Sequence, residues 1–442
     1  MVMPRLNGLG QYLGQVAYVK NDSAKYLVSK DYSTKEICTS SESLICRLYT
    51  FSDPSSFFYD SGRAYEARYS AFRQRQADEL LDIAEHFPVE ELAKLPLFNN
   101  VAEAIPRDLE KRICVGIPSV TREREQFLPR AVASLVQGLS LEQRQAIHIV
   151  VLLADDDPVS HPAFGKRWLD RLADEVLVYG NASITDAPKR YRTVASDHSH
   201  ELSRNDRVHR DYATLMAACQ EQKAEYFALV EDDIIAAHNW LRRLSTALDK
   251  LERTEDVKNW LYLRLFYSET YMGWNAEEWP TYLINSVWVY CIVLALYLLV
   301  VAIETRRRSQ TFHPKSTIWA LPHLTFWTAS FILLYFLAGR LTVNPYPAGV
   351  HEMPNYGCCA QGLVIPRQHL DELGVALNTA SNAIAGDSLI EYFADSHHLK
   401  KYAITPSVLQ HVGRLGSSDV GGTRKVTWSF SFEKTSARRP RQ

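Results

Sequence analysis

The chain has no surplus of either charge: 49 Lys and Arg stand against 51 Asp and Glu over 442 residues. Nothing therefore points to a nucleic-acid partner. Its one internal basic cluster falls between two apolar runs, and the other, Arg438, Arg439 and Arg441, reads as a disordered tail. Cysteine is sparse, seven in all, so a disulfide scaffold is excluded. Cys38 and Cys46 offer one short bridge if the compartment is oxidising, while Cys358 and Cys359 read as small strand residues. Internal repeats and long low-complexity stretches are absent. The first hundred residues hold no apolar span, and Met1–Lys20 has no uninterrupted signal-type core. Either a later span carries the amino-terminal half across a membrane, or the natural start lies upstream.

What the chain does have is two long apolar runs, Tyr282–Ile303 and Ile318–Gly339. Each is long enough, at about 1.5 Å per helical residue, to cross a hydrocarbon core of about 30 Å. The link between them carries Arg306, Arg307, Arg308 and Lys315 against the single acid Glu304, which predicts a cytoplasmic loop. The flanking sequences then share the opposite compartment, with the lipid bilayer as a partner. Sequons at Asn21 and Asn181 suit a luminal location.

The flanks look globular, and at 46% hydrophobic the chain can bury a sizeable core. Residues 1–110 read as a stem or shoulder with helices at 63–87 and 89–95. From 111 to 281, apolar strands alternate with amphipathic helices, which predicts an α/β fold with a mainly parallel sheet. The apolar hairpin occupies 282–340. The stretch 341–418 has too few elements to stand alone and is expected to complete the sheet, with a closing strand and basic tail over 419–442.

Chemistry concentrates at strand ends. Glu231, Asp232 and Asp233 follow the strand Tyr226–Val230, where ligands bind in open α/β sheets. Three adjacent acids suit a hard cation such as Mn2+ or Mg2+, or else a solvated turn that caps the next helix. Asp155, Asp156 and Asp157 precede Pro158 and read as turn and cap residues. The loop Pro118-Ser119-Val120-Thr121-Arg122 suits a nucleotide phosphate, through backbone amides and a guanidinium, or is simply a strand-to-helix turn. Asp387, with Glu391 one turn on, stands at a helix start as a candidate base or a helix cap. Glu269 is a third acid, and Arg264, Tyr267 and Trp274 lead into the first span at a height where a lipid-linked acceptor would sit. Trp279 and Tyr282 read as an interfacial aromatic belt.

The order of VGIPSVTRE, LVEDDI, LRLFYSE, an apolar hairpin and LQHVG resembles the GPI-anchor N-acetylgalactosamine transferases, known as post-GPI-attachment-to-proteins factor four. The stretch HRDYATLMAACQEQKAEYFALVEDDI, which contains Asp211, also resembles the donor site of N-acetylglucosaminyltransferase IV. The resemblance implies a GT-A-like fold interrupted by the hairpin. It also implies a Golgi location and inverting transfer of GalNAc from UDP-GalNAc to the first mannose of a GPI glycan. Carried over, it places Glu231, Asp232 and Asp233 on the metal–diphosphate and ribose, and His411 on the metal or diphosphate. It places Asp211 with Pro118, Ser119, Thr121 and Arg122 at the donor, and Asp387, with Glu391 and Glu269 behind it, at the base position. The competing classes are a catalytically silent luminal binding module and a metal-dependent phosphoester hydrolase.

Overall fold

The apolar run after residue 112 forms β1 (Ile113–Ser119), with six of its seven residues buried. A strand buried on both faces belongs in the middle of a parallel sheet, and β1 lies there. The computed structural model describes residues 50–88, 112–180, 190–195, 202–307, 314–353, 360–413 and 427–434, all in a unit that begins at Thr50. Asn21, Asn181, the Cys38–Cys46 bridge, Cys358, Cys359 and the helix expected at 89–95 lie outside the described residues.

On one side of β1 run β2 (Ile147–Leu153), β3 (Glu175–Tyr179) and β4 (Tyr191–Val194), all parallel. On the other side β5 (Tyr226–Leu229) is also parallel, so Val115 pairs with Ile149 and with Ala228. The chain order thus jumps across β1. That jump opens a crevice beyond the carboxyl ends of β1 and β5, the usual ligand position in such sheets.

The remaining strands are β6 (Ile234–Ala236), β7 (Trp260–Arg264), β8 (Gly349–Glu352), β9 (Leu363–Pro366), β10 (Lys400–Thr405) and β11 (Leu409–His411). The main sheet has the order β4-β3-β2-β1-β5-β9-β7-β10-β8, and β6 pairs separately with β11. The main sheet is mainly parallel, as expected, with only β8 and β9 running against its other seven strands. β9 runs antiparallel to both β5 and β7, and β8 is antiparallel to β10. The reason is geometric: the chain leaves β7, makes its apolar excursion, and returns at the end it left. β8 and β9 then run back, and β10 resumes the direction of β7.

Apart from the short helices Ser61–Ala64, Leu141–Gln145, Arg167–Leu172 and Arg340–Val343, the described α-helices are α1 (Tyr69–His86), α2 (Leu128–Val136), α3 (Arg204–Glu221), α4 (Trp240–Thr254), α5 (Trp279–Arg307), α6 (Pro314–Ala338), α7 (Leu370–Thr379), α8 (Gly386–Ser396) and α9 (Phe430–Lys434). One face of the sheet buries Leu80 of α1, Leu135 of α2 and Leu244 of α4 with Val115 and Val151. The other buries Leu215 of α3, Leu373 of α7 and Ile390 of α8 with Leu152 and Phe227. Each such side chain contributes roughly 1.5–3 kcal/mol of burial. Helix α1 is therefore part of this core rather than a separate shoulder: Ala77 and Ala84 are fully buried in it. A disulfide the sequence did not suggest, Cys114–Cys219, ties β1 to α3.

Helices α5 and α6 are long and apolar enough to cross a membrane by length and composition, with mean hydropathies of 2.6 and 1.5 over their best windows. They touch one another, for example where Tyr290 and Thr325 hydroxyls meet at 2.9 Å. Gly339, at φ 93°, ends α6 in a conformation that favours glycine. Residues expected to close the chain as a strand instead form α9. The Glu269 carboxylate accepts from the Ser431 amide at 2.9 Å, satisfying a first-turn donor that a strand would need paired elsewhere.

Candidate active site

The cleft beyond β1 and β5 has a volume of about 400 Å³. It gathers residues that are far apart in the chain: Pro118 and Ser119 at the end of β1 and Arg122 just after it, the acids Glu231–Asp233 after β5, Asp211 and Tyr212 from α3, Asp387 from α8, and His411 from β11. Local sequence explains each placement. Ser203 starts α3 with a reciprocal capping box to Asp206, which orients the helix face carrying Asp211. β5 delivers the triplet, and β6 resumes immediately and pairs with β11, so Gln410 and His411 return beside Ile235 and Ile234.

Asp232 and Asp233 are buried. Ser119 Oγ donates to Asp232 Oδ2 at 2.7 Å, and the Arg122 guanidinium donates to its other oxygen. Arg122 also approaches Asp233 Oδ2 at 3.4 Å. His411 Nε2 lies 3.3 Å from that same Asp233 oxygen, and its Nδ1 donates to the Thr427 carbonyl at 3.2 Å. Both ring nitrogens thus face acceptors, the arrangement of an imidazolium. Burial would lower His411, but Asp233 and Glu231 outweigh it and raise the group above the ordinary histidine value. Burial would likewise raise Asp233, yet His411 and Arg122 hold its carboxyl below the usual range. Glu231 is pushed up to about 8 by burial and by Asp233. Asp232 and Asp211 are each pushed up to about 6, chiefly by burial.

Gly413 explains part of this geometry. A Cβ there would stand 2.4 Å from Asp233 Oδ2, so only glycine lets the chain pass so close to that carboxylate. Asp233 Oδ1 is buried and has no hydrogen-bond partner among the described residues. Among those residues no group of three or more His, Cys, Asp and Glu is arranged around a single point. The protein therefore offers two donors, Asp233 and a deprotonated His411 whose other nitrogen is already fixed by a carbonyl. That set fits a hard divalent cation whose remaining ligands are phosphate oxygens and water.

Several candidates fall elsewhere. Thr121 turns away, donating to Asp155 Oδ2 at 2.6 Å, and Asp157 caps a short 3-10 turn. Glu391 pairs with buried Arg264, with the Tyr262 hydroxyl at 2.7 Å and with Lys401 at 3.2 Å, so both Glu391 and Arg264 serve to clamp α8 onto β7. Tyr267 is buried against Met272 and Met353. Trp274 packs edge-on against Tyr282 and at a tilt against Tyr335 and Phe336 at the end of the apolar helices.

Glu269 is buried too, outside the cleft, and holds the segment with Ser429 and Ser431. Through that segment it fixes the Thr427 carbonyl on His411. Replacing Glu269 with Ala strands buried amide and hydroxyl donors, so a stability loss of about 1–3 kcal/mol is expected, read as a lower Tm. An unchanged Tm would show that α9 is held by other contacts.

Sequence reasoning missed several residues of the cleft or its wall, Arg204 and Tyr212 among them. His161 Nε2 contacts Ser119 Oγ at 3.3 Å. Gln361, buried, and Asn205 line the cleft. None carries a local pattern, since each becomes relevant only through the sheet order.

The family model for GPI-N-acetylgalactosamine transferase PGAP4 matches residues 113–410. Among curated proteins, the chain is 23% identical over 165 residues to alpha-1,3-mannosyl-glycoprotein 4-beta-N-acetylglucosaminyltransferase C of Macaca fascicularis, covering 34% of this chain and 33% of that one. It is 26% identical over 169 residues to the Mus musculus protein of that name, covering 34% and 33%. With alpha-1,6-mannosyl-glycoprotein 4-beta-N-acetylglucosaminyltransferase of Gallus gallus it shares 27% identity over 174 residues, covering 38% and 36%. The chain spans about a third of the length of these curated relatives. The family match, by contrast, begins on the first residue of β1, runs through the cleft acids and both apolar helices, and ends beside His411. On that match the chain belongs to the GPI-N-acetylgalactosamine transferase PGAP4 family of glycosyltransferases.

Proposed function

We propose that this chain is a metal-dependent, inverting transferase of GT-A type that moves N-acetylgalactosamine from UDP-GalNAc to the first mannose of a GPI glycan. The observation that carries the reading is the single cleft that joins Arg122, the acids Glu231–Asp233, His411 and Asp387 at the switch point of the sheet. In this reading Asp233 and His411 would hold Mn2+ or Mg2+, whose charge would offset that of the diphosphate leaving group. Arg122, anchored by Asp232, sets a second positive charge at the phosphates. Asp211, held by the Tyr179 hydroxyl at 2.7 Å, lies on the donor side. Asp387 accepts the proton of the attacking acceptor hydroxyl as the C1–oxygen bond to UDP breaks.

Helices α5 and α6 then form a hairpin in the Golgi membrane with the sheet on the luminal side. Buried Cys114–Cys219 supports an oxidising compartment. The division of one catalytic domain into 111–281 and 341–418 belongs to the same reading.

The test is transfer from a panel of UDP-sugars to a GPI acceptor. UDP-GalNAc should be the preferred donor. Preference for UDP-GlcNAc, the donor class suggested by the relatives' names, would overturn the donor assignment, and no transfer at all would overturn the activity.

A pH dependence follows. Glu231 carries a proton near neutrality and Asp232 does so below about 6, while Asp233 and Glu231 hold the His411 proton more firmly than on an ordinary imidazole. A divalent cation requires the charged carboxylates and neutral imidazole, so its binding releases protons. Affinity for metal–UDP should rise from pH 6 to 8, measurable by calorimetry in buffers of different ionisation heat. Affinity that is flat or falls over that range would show that these groups do not face the ligand.

A further inference from the structure

Between α5 and α6, on the side of the sheet domain, lies a cavity of about 940 Å³. Val289, Val293, Phe331 and Ile332 give it an apolar lining that is open on the outer helix faces, where Val289 and Phe331 are exposed, and Glu278 and Asn285 give it a polar rim near the start of α5. Behind the rim sits Arg340, buried, with its Nη2 3.5 Å from Glu278 Oε2 and its guanidinium 4.2 Å above the Tyr346 ring. Its Nε and Nη1 have no hydrogen-bond partner among the described residues. A buried guanidinium with two unused donors is costly unless an anion completes it. Glu278 is partly exposed, meets Arg340 by a single long contact and is held separately by the Tyr282 hydroxyl, so an incoming anion can compete for Arg340 while Glu278 stays on Tyr282. An apolar slot lined by helices that face hydrocarbon, closed by a polar rim with an unsatisfied guanidinium behind it, matches one chemistry. That chemistry is a phospholipid chain with its phosphate at the membrane surface.

Resting on the reading of α5 and α6 as a membrane hairpin of a transferase, we propose that this cavity takes an acyl chain of the acceptor glycolipid, with its phosphodiester against Arg340. The acceptor lipid is favoured over bulk lipid by connection. Leu265, bonded to Gly362 beside the cleft, is nine residues from Trp274 on the cavity wall, a reach of at most about 30 Å. A lipid seated here would have its first sugars within that reach of the cleft. The protein thus recognises the lipid as well as the glycan.

The test uses the full chain in nanodiscs with a photoactivatable acyl probe on phosphatidylinositol, and the same probe on phosphatidylcholine. Labelled residues are mapped by mass spectrometry. Phosphatidylinositol should label Phe331 and Ile332, and Val289→Trp or Val293→Trp should remove that labelling. Arg340→Gln should weaken it, whereas Arg340→Lys should retain most of it. In transfer assays the filled variants should raise KM for the intact lipid acceptor about tenfold, one interaction of about 1.4 kcal/mol. The kcat, and all constants for the deacylated glycan, should stay unchanged. Labelling spread over the outward helix faces, or equal labelling by phosphatidylcholine, would overturn the proposal. Selective labelling in a protein that transfers to neither acceptor would support the cavity and count against the transferase reading instead.

Discussion

Asp233→Asn is expected to reduce transfer by about a thousandfold, and to do so by removing metal–donor binding rather than by unfolding the protein. The side chain is buried with one oxygen shared by His411 and Arg122 and the other unpartnered. Asparagine keeps the volume, so Gly413 still fits. It loses the charge that holds His411 and Arg122, and with it a ligand for the cation. A bound cation stabilises transition-state charge by several kcal/mol, and about 4 kcal/mol corresponds to a thousandfold in rate. Metal–UDP affinity, read by calorimetry, should fall together with activity while the circular dichroism spectrum stays native.

Gly413→Ala should imitate the defect, because the added methyl meets Asp233 Oδ2 at 2.4 Å. Full activity in Asp233→Asn would remove the metal assignment. Loss of activity with undiminished metal–UDP binding would move Asp233 from the donor to the chemistry.

The sequence carried this centre more clearly than it carried the sheet around it. An apolar run ended by three acids, and a small polar loop after an apolar strand, are local patterns, and the cleft is built from both. The excursion through α5 and α6 was equally plain, because twenty apolar residues have few other fates. What periodicity does not encode is pairing partner or direction. β9 reads simply as an apolar run, yet it inserts between β5 and β7 and reverses the sheet there. Glu391 has the right spacing for a catalytic understudy, but Arg264 and Lys401 arrive from β7 and β10 and claim its charge. The alternation in TWSFSFEK suggests a strand. Glu269, more than 150 residues earlier, supplies the carboxylate that makes it a helix.

Asp387→Asn should separate binding from chemistry. Asp387 lies in the first turn of α8, where the helix N-terminus favours a negative charge, and one carboxylate oxygen accepts from the Ser388 amide at 2.8 Å. The clamp of Glu391 on Arg264 and Lys401, one turn further on, fixes the helix to the sheet, so this carboxylate is held on a rigid element. It lines the same cleft as Arg122, Asp233 and His411, and in the proposed mechanism it takes the proton of the acceptor hydroxyl. Asparagine cannot take that proton. Loss of a positioned base costs typically a hundredfold to ten-thousandfold, so kcat should fall within that range while UDP-sugar affinity stays near wild type. Weakened donor binding would reassign Asp387 to the sugar. The rival base is Glu231, in the same cleft and pushed up to about 8 by burial and Asp233. If Glu231→Gln loses kcat with donor affinity intact while Asp387→Asn keeps transfer, the proton goes to Glu231. If both lose kcat but only Glu231→Gln loses metal–UDP binding, Asp387 is the base and Glu231 belongs to the donor.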